Sequence, residues 1–188
     1  MRTVLDARTS SRYATRGRSG IHSVLDVETA LATADTAARL RDQLAAGERL
    51  SGPAARRALT AATQAPRFEG RIVPRTFATK ARTYLERDGT VLFDNPDALL
   101  ICAFKHDTAL CEPDSGATAP RQYGCRPGCA NTVRTDTHAR QLRESASEPG
   151  QLANRLPPPV ARRLRANADR LHDTAQPHDT TAQTAEAP

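Results

Sequence analysis

The chain has 188 residues, 38% of them hydrophobic, 4% aromatic and none Trp, which bounds it to one domain, or a small one with appendages, whose core holds little large apolar surface. Its formal net charge of +6 is one-sided: residues 1–88 carry 16 Lys/Arg against 9 Asp/Glu, and residues 89–188 carry 11 against 12. No apolar run approaches the roughly 18 residues of a membrane span, and the Arg-bearing N-terminus lacks the apolar segment of a secretory signal; the expected location is the cytoplasm, with reduced thiols.

Residues 1–20, with five arginines and one aspartate, read as a disordered basic arm. From Ser23 or Asp26 to Ala46 the pattern is helical: Val24, Val27, Leu31, Ala34 and Ala38 recur at three- and four-residue steps, Leu44 lies six residues on, and Gly47 follows as a helix stop. Ser51-Gly52-Pro53 opens a second helix over AARRALTAATQA, with Pro66 beyond it. Pro74 opens a third over RTFATKARTYLERD, in which Phe77, Ala81, Tyr84 and Leu85 form the face expected to be buried. Val91–Phe93 and Leu99–Phe104 flank the turn sequence Asp94-Asn95-Pro96-Asp97 and predict a hairpin; a short helix starting at Asn95-Pro96 competes for the same residues. A loop over 112–124 follows, then a helix over ANTVRTDTHARQLRESASE, broken at Pro149-Gly150. A last helix follows Pro157-Pro158-Pro159, and beyond Thr174 the Thr-, Ala-, Gln- and Pro-rich composition predicts disorder.

All four cysteines fall between Cys102 and Cys129, spaced C-x8-C-x13-C-x3-C. In a chain without an export signal such a cluster points to metal ligands before disulfides. Pro127 and Gly128 bend the backbone between Cys125 and Cys129 so that two thiolates could face one ion, and Cys111 stands before the loop that returns to Cys125. The expectation is one structural Zn2+ held by Cys102, Cys111, Cys125 and Cys129, with His106 or His138 as alternatives to Cys102, and an iron–sulfur cluster as the lesser possibility. A lean core that needs a staple argues the same way.

Residues 53–87 hold eight Lys/Arg against two Glu. Arg56, Arg57, Arg67, Arg71, Arg75, Lys80, Arg82 and Arg87 therefore form the candidate nucleic-acid-binding set, with DNA phosphates as the expected contacts. A solvated basic face on a protein–protein module is the competing reading. The sequence carries no phosphate-cradling glycine loop, no H-E-x-x-H and no G-x-S-x-G, so no enzymatic activity is expected.

RFEGRIVPRTFATKARTYLERDGTVLFDNPDALLICAFKHDTALC, followed by the Cys125–Cys129 knuckle and Arg134-Thr135-Asp136-Thr137-His138, resembles a segment of integrase-type proteins of bacterial mobile elements, over about residues 36 to 170. The resemblance is to a C-terminal, non-catalytic part. It implies DNA association, an accessory role in integration and a recombinase as a possible protein partner, without the recombinase's arginines, histidine and tyrosine nucleophile.

The expected architecture is mainly α: a small helical domain with one short β-hairpin and a Cys-rich metal-stapled loop. Its parts are the arm at 1–20, a helical domain at 21–148 containing the Cys-rich module 98–138, a C-terminal helix at 149–173 and a disordered tail at 174–188.

Overall fold

Alanine sets the architecture. Helix α1 (Ala7–Ala45) opens the computed structural model, which describes residues 7–66, 75–88, 90–115, 117–126 and 128–184. It starts inside the stretch expected to be a disordered arm. Its buried face carries Ala30, Thr33, Ala34, Ala37 and Leu40, at helical spacing. Gly47, at φ 94°, closes it: the N–H groups of Gly47 and Glu48 reach back to the carbonyls of Leu44 and Gln43, each at 3.0 Å, a turn that needs left-handed backbone.

Helix α2 (Ala55–Gln64) buries Ala55, Ala58, Ala61 and Ala62. Helix α3 (Arg75–Asp88) packs against α1, and its Tyr84 hydroxyl donates to the Ala61 carbonyl of α2 at 2.7 Å. Tyr84 and Ala81 are buried, as the third helix's pattern requires. Phe77 and Leu85 are only half-buried, beside Ala30, Leu31 and Ala34, because the small residues of α1 leave the edge of that face open.

Four strands form one antiparallel sheet in the order β1 (Leu50–Ser51), β4 (Thr132–Thr135), β3 (Leu100–Phe104), β2 (Val91–Asn95). The hairpin β2–β3 pairs Val91 with Phe104 and Asn95 with Leu100. Its connection satisfies both sequence readings, since Pro96–Ala98 forms one 3-10 turn capped by the Asn95 side chain, which accepts from Ala98 N–H at 3.2 Å. Leu99, at φ 49°, then turns the chain into β3.

The expectation of a mainly α domain with one hairpin and a metal-stapled loop is therefore corrected. The described residues hold five helices and a four-stranded antiparallel sheet, an α/β mixture in which the hairpin is half of a larger layer. Two sequence features concealed the rest. Strand β1 is two residues long, too short to alternate, and β4 occupies TVRT, whose pattern runs without a break into the following helix.

Helix α4 (Asp136–Ala153) and helix α5 (Pro158–Thr181) form an antiparallel pair joined by a tight turn. Pro149 lies inside α4 instead of breaking it. The pair buries Ala139, Leu142, Ala146 and Ala153 on one helix and Ala161, Ala168 and Ala175 on the other, and this packing outweighs the missing hydrogen bond at Pro149. Helix α5 carries on to Thr181, past Thr174, where the helical pattern was expected to give way to a disordered tail. Gln183 then bridges to Leu50 through two backbone hydrogen bonds of 2.9 and 2.7 Å. Leu40, Leu50, Leu92, Ile101 and Val133 fill the centre between sheet and helices. Among the described residues no helix is long and apolar enough to cross a membrane.

Candidate functional site

The basic set divides into surface residues and one that the fold has taken. Arg56 on α2 and Arg75, Lys80 and Arg82 on α3 are exposed. Arg82 has a loose ion pair with Glu86, one turn on, at 4.0 Å. Arg57 turns inward, where its Nη2 donates to the Ala103 carbonyl at 2.8 Å and to Asn131 Oδ1 at 2.9 Å. It ties α2 to the sheet and is removed from the candidate interface. Arg67 and Arg71 lie outside the described residues, as does the Arg87 side chain.

The exposed cations do not stand alone. On α2, Arg56, Thr60 and Thr63 fall at four- and three-residue steps on one exposed stripe. An open groove of about 290 Å3 separates α2 from α3, bordered by Gln64 and Pro66 on one side and by Thr79, Lys80 and Thr83 on the other. Cations and hydroxyls together are the groups that bind phosphate oxygens.

The cysteines are placed differently from the expectation. Cys102 is on β3, and Cys111, Cys125 and Cys129 lie in the segment between β3 and β4; all four border one small cavity of about 20 Å3. Burial, reinforced by the neighbouring thiols, pushes the Cys102 thiol up to about 12, and burial likewise raises Cys125. Among the described residues, however, no group of three or more His, Cys, Asp or Glu is placed to hold a metal ion. The expected Zn2+ centre at Cys102, Cys111, Cys125 and Cys129 is thereby overturned, and the iron–sulfur alternative falls with it.

The histidines offered as ligands are engaged elsewhere. His106 Nε2 lies 3.2 Å from the Asp114 carbonyl. His138 is the third residue of α4 and completes its cap: Thr135 N–H donates to His138 Nδ1 at 3.2 Å, and Thr135 Oγ1 accepts from His138 N–H at 3.3 Å. Burial holds His138 below the ordinary histidine range, against the opposing pull of Asp94 and Glu48.

Hydrogen bonds supply the staple that the metal was expected to provide. Asn131, 1% exposed, accepts from Arg57 and from Thr108 Oγ1 at 2.7 Å, and its Nδ2 donates to the Lys105 carbonyl at 2.9 Å. One amide thus joins α2, the chain after β3 and the approach to β4.

A second polar group went unseen in the sequence. Ser51 Oγ is 2.7 Å from His178 Nδ1, and His178 Nε2 is 2.9 Å from Asp136 Oδ1. The Asp136 carboxylate can only accept, so Nε2 donates to it, and in the neutral imidazole Nδ1 then accepts from the Ser51 hydroxyl. Arg49 holds both oxygens of Asp136: its backbone N–H donates to Oδ2 at 2.6 Å, and its Nη2 donates at 2.7 Å to Oδ1, the oxygen His178 also binds. The connectivity is that of a serine–histidine–aspartate relay. With Ser51 5% and His178 2% exposed, the hydroxyl is closed to any substrate, and the relay clasps α5 to β1 and the start of α4. No sequence motif announces it, because its members are spread from position 49 to position 178.

Comparison with protein-family models, with curated proteins and with solved structures finds no match to this chain.

Proposed function

We propose that this chain is a non-catalytic, DNA-associated protein that holds the phosphate backbone with the exposed faces of α2 and α3. The observation that carries the reading is the groove between Gln64–Pro66 and Thr79–Lys80–Thr83, with Arg56 exposed on α2 and Arg75 and Arg82 exposed on α3. Guanidinium, ammonium and hydroxyl groups along one surface neutralise and hydrogen-bond phosphates without reading base edges. The sequence resemblance to the C-terminal part of integrase-type proteins supports placing that contact in DNA integration, beside a recombinase partner.

The test is a fluorescence-anisotropy titration of a random duplex at several salt concentrations. Four phosphate contacts give a slope of log affinity against log salt near −3.5. The variant Arg75→Ala/Lys80→Ala should flatten it by about 2 and weaken all duplexes alike. Absence of binding at about 50 mM salt would sink the proposal, and the helices would then read as a protein–protein module with a solvated basic face.

A further inference from the structure

Behind the hairpin turn lies a cavity of about 240 Å3, bordered by Leu99 and Leu100 after the turn, Leu142 of α4 and Leu171 of α5. Three arginines border the same cavity: Arg126, Arg134 and Arg170. Arg126 is already engaged with Glu112 at 3.1 Å, and Arg170 donates to Asn167 at 2.6 Å. Arg134 differs from both. It rises half-buried from β4, and its Nε is buried with no hydrogen-bond partner among the described residues. Among the described residues it has no ion pair; the Cys125 thiol favours its charged form, while burial, the larger effect, disfavours it. Asp97 is the single acidic residue on the cavity wall, and it is exposed.

A half-buried guanidinium side chain that borders a cavity and has no ion pair among the described residues is an unfilled half of one. The leucine walls add a second requirement, because an inorganic anion brings nothing to cover them. The volume lies below the roughly 300–1,000 Å3 of sites for drug-sized ligands, so the occupant is small. We propose that this cavity binds a small organic anion, its carboxylate against Arg134 and Arg170 and its apolar body against Leu142 and Leu171.

Hexanoate is the probe, with 1-hexanol and inorganic phosphate as comparisons, each titrated into the full chain and followed by amide chemical shifts. Hexanoate should saturate with a Kd of about 10 mM or lower and move resonances around Leu99, Arg134, Leu142 and Leu171, with both comparisons at least about ten-fold weaker. Arg134→Gln should weaken hexanoate about ten-fold or more, as loss of a charge-assisted pair does. Arg170→Gln alters only an exposed position on α5 and should weaken it about three-fold without disturbing the fold. Failure of hexanoate to saturate, hexanol or phosphate binding as well as hexanoate, or unchanged hexanoate affinity in Arg170→Gln would each overturn the proposal. Should Arg134→Gln not fold, the Arg170→Gln result decides.

Discussion

The hydroxyl of Ser51 and Nδ1 of His178 meet at 2.7 Å across 127 positions of sequence. Neither side chain reaches solvent, and the contact is made where α5 ends against the two-residue strand β1. The C-terminal stretch is thus part of the fold: His178 bonds Ser51 and Asp136, Asp179 accepts from Arg143 at 2.7 Å, and Gln183 pairs with Leu50. Replacing His178 with Ala leaves Ser51 without its partner and takes one donor from Asp136 Oδ1, which keeps Arg49 Nη2. His178→Ala should therefore cost about 1–3 kcal/mol in urea denaturation, and Ser51→Ala should cost clearly less in the His178→Ala background than alone. Equal costs in the two backgrounds would show the pair uncoupled.

Asp136 makes the same clasp sensitive to acid. Burial pushes its carboxyl up, but hydrogen bonds from Arg49 and His178 outweigh that and hold it well below the usual carboxylate range. The folded protein therefore binds fewer protons here than the unfolded chain does. The stabilisation is complete above the ordinary carboxylate pKa of about 4 and is lost as pH falls below it. Asp136→Asn should lower stability at pH 7 and give a shallower acid limb, read from chemical denaturation between about pH 2 and 6.

His138 titrates in a different window. Its Nδ1 must stay unprotonated to accept from Thr135 N–H, and burial depresses its pKa. Stability from this group is present above the unfolded histidine value of about 6.5 and declines as pH drops through the window beneath it. Gln can make the same capping contact without titrating. His138→Gln should keep α4 capped and flatten the stability profile between about pH 5 and 7, and an unchanged profile would rule His138 out as its cause.

The local elements were largely legible, and the long-range ones were not. Helical spacing marked most of α1 beyond Asp26, α2 and α3, and Gly47 marked the end of α1. The apolar runs around Asn95-Pro96 marked β2 and β3. Strand β4 stayed hidden because Thr135 is both its last residue and the cap of α4, so strand and helix share one uninterrupted polar–apolar run. The end of α5 stayed hidden because its composition is that of a disordered tail; what orders it is contact with Ser51 and Leu50, far away in sequence. The cysteine spacing reported nearness along the chain, and that is a weaker condition than four ligands aimed at one point. A lean core argues for a metal staple, yet the bonds that Asn131 makes to Arg57, Thr108 and Lys105 hold the segment between β3 and β4.

Arg57 and Lys80 were grouped by charge in the sequence, and the structure separates their work. Arg57 donates to Ala103 and Asn131 from a half-buried position, and its Nε is buried without a partner among the described residues. Lys80 stands exposed on the groove beside Thr79 and Thr83. Arg57→Ala removes two charge-assisted bonds and leaves the Asn131 oxygen short of one donor. That should cost about 2–4 kcal/mol, with the loss centred on the segment around Thr108 and Lys105 that Asn131 also holds. Lys80→Ala, at an exposed helix position, should change stability by less than about 0.5 kcal/mol. The order reverses for duplex DNA. Lys80→Ala should reduce the salt slope by about 1, whereas folded Arg57→Ala, assayed at a temperature where it stays native, should keep the slope of the unmodified chain. A slope lowered equally by both changes would return Arg57 to the interface and remove the division of roles.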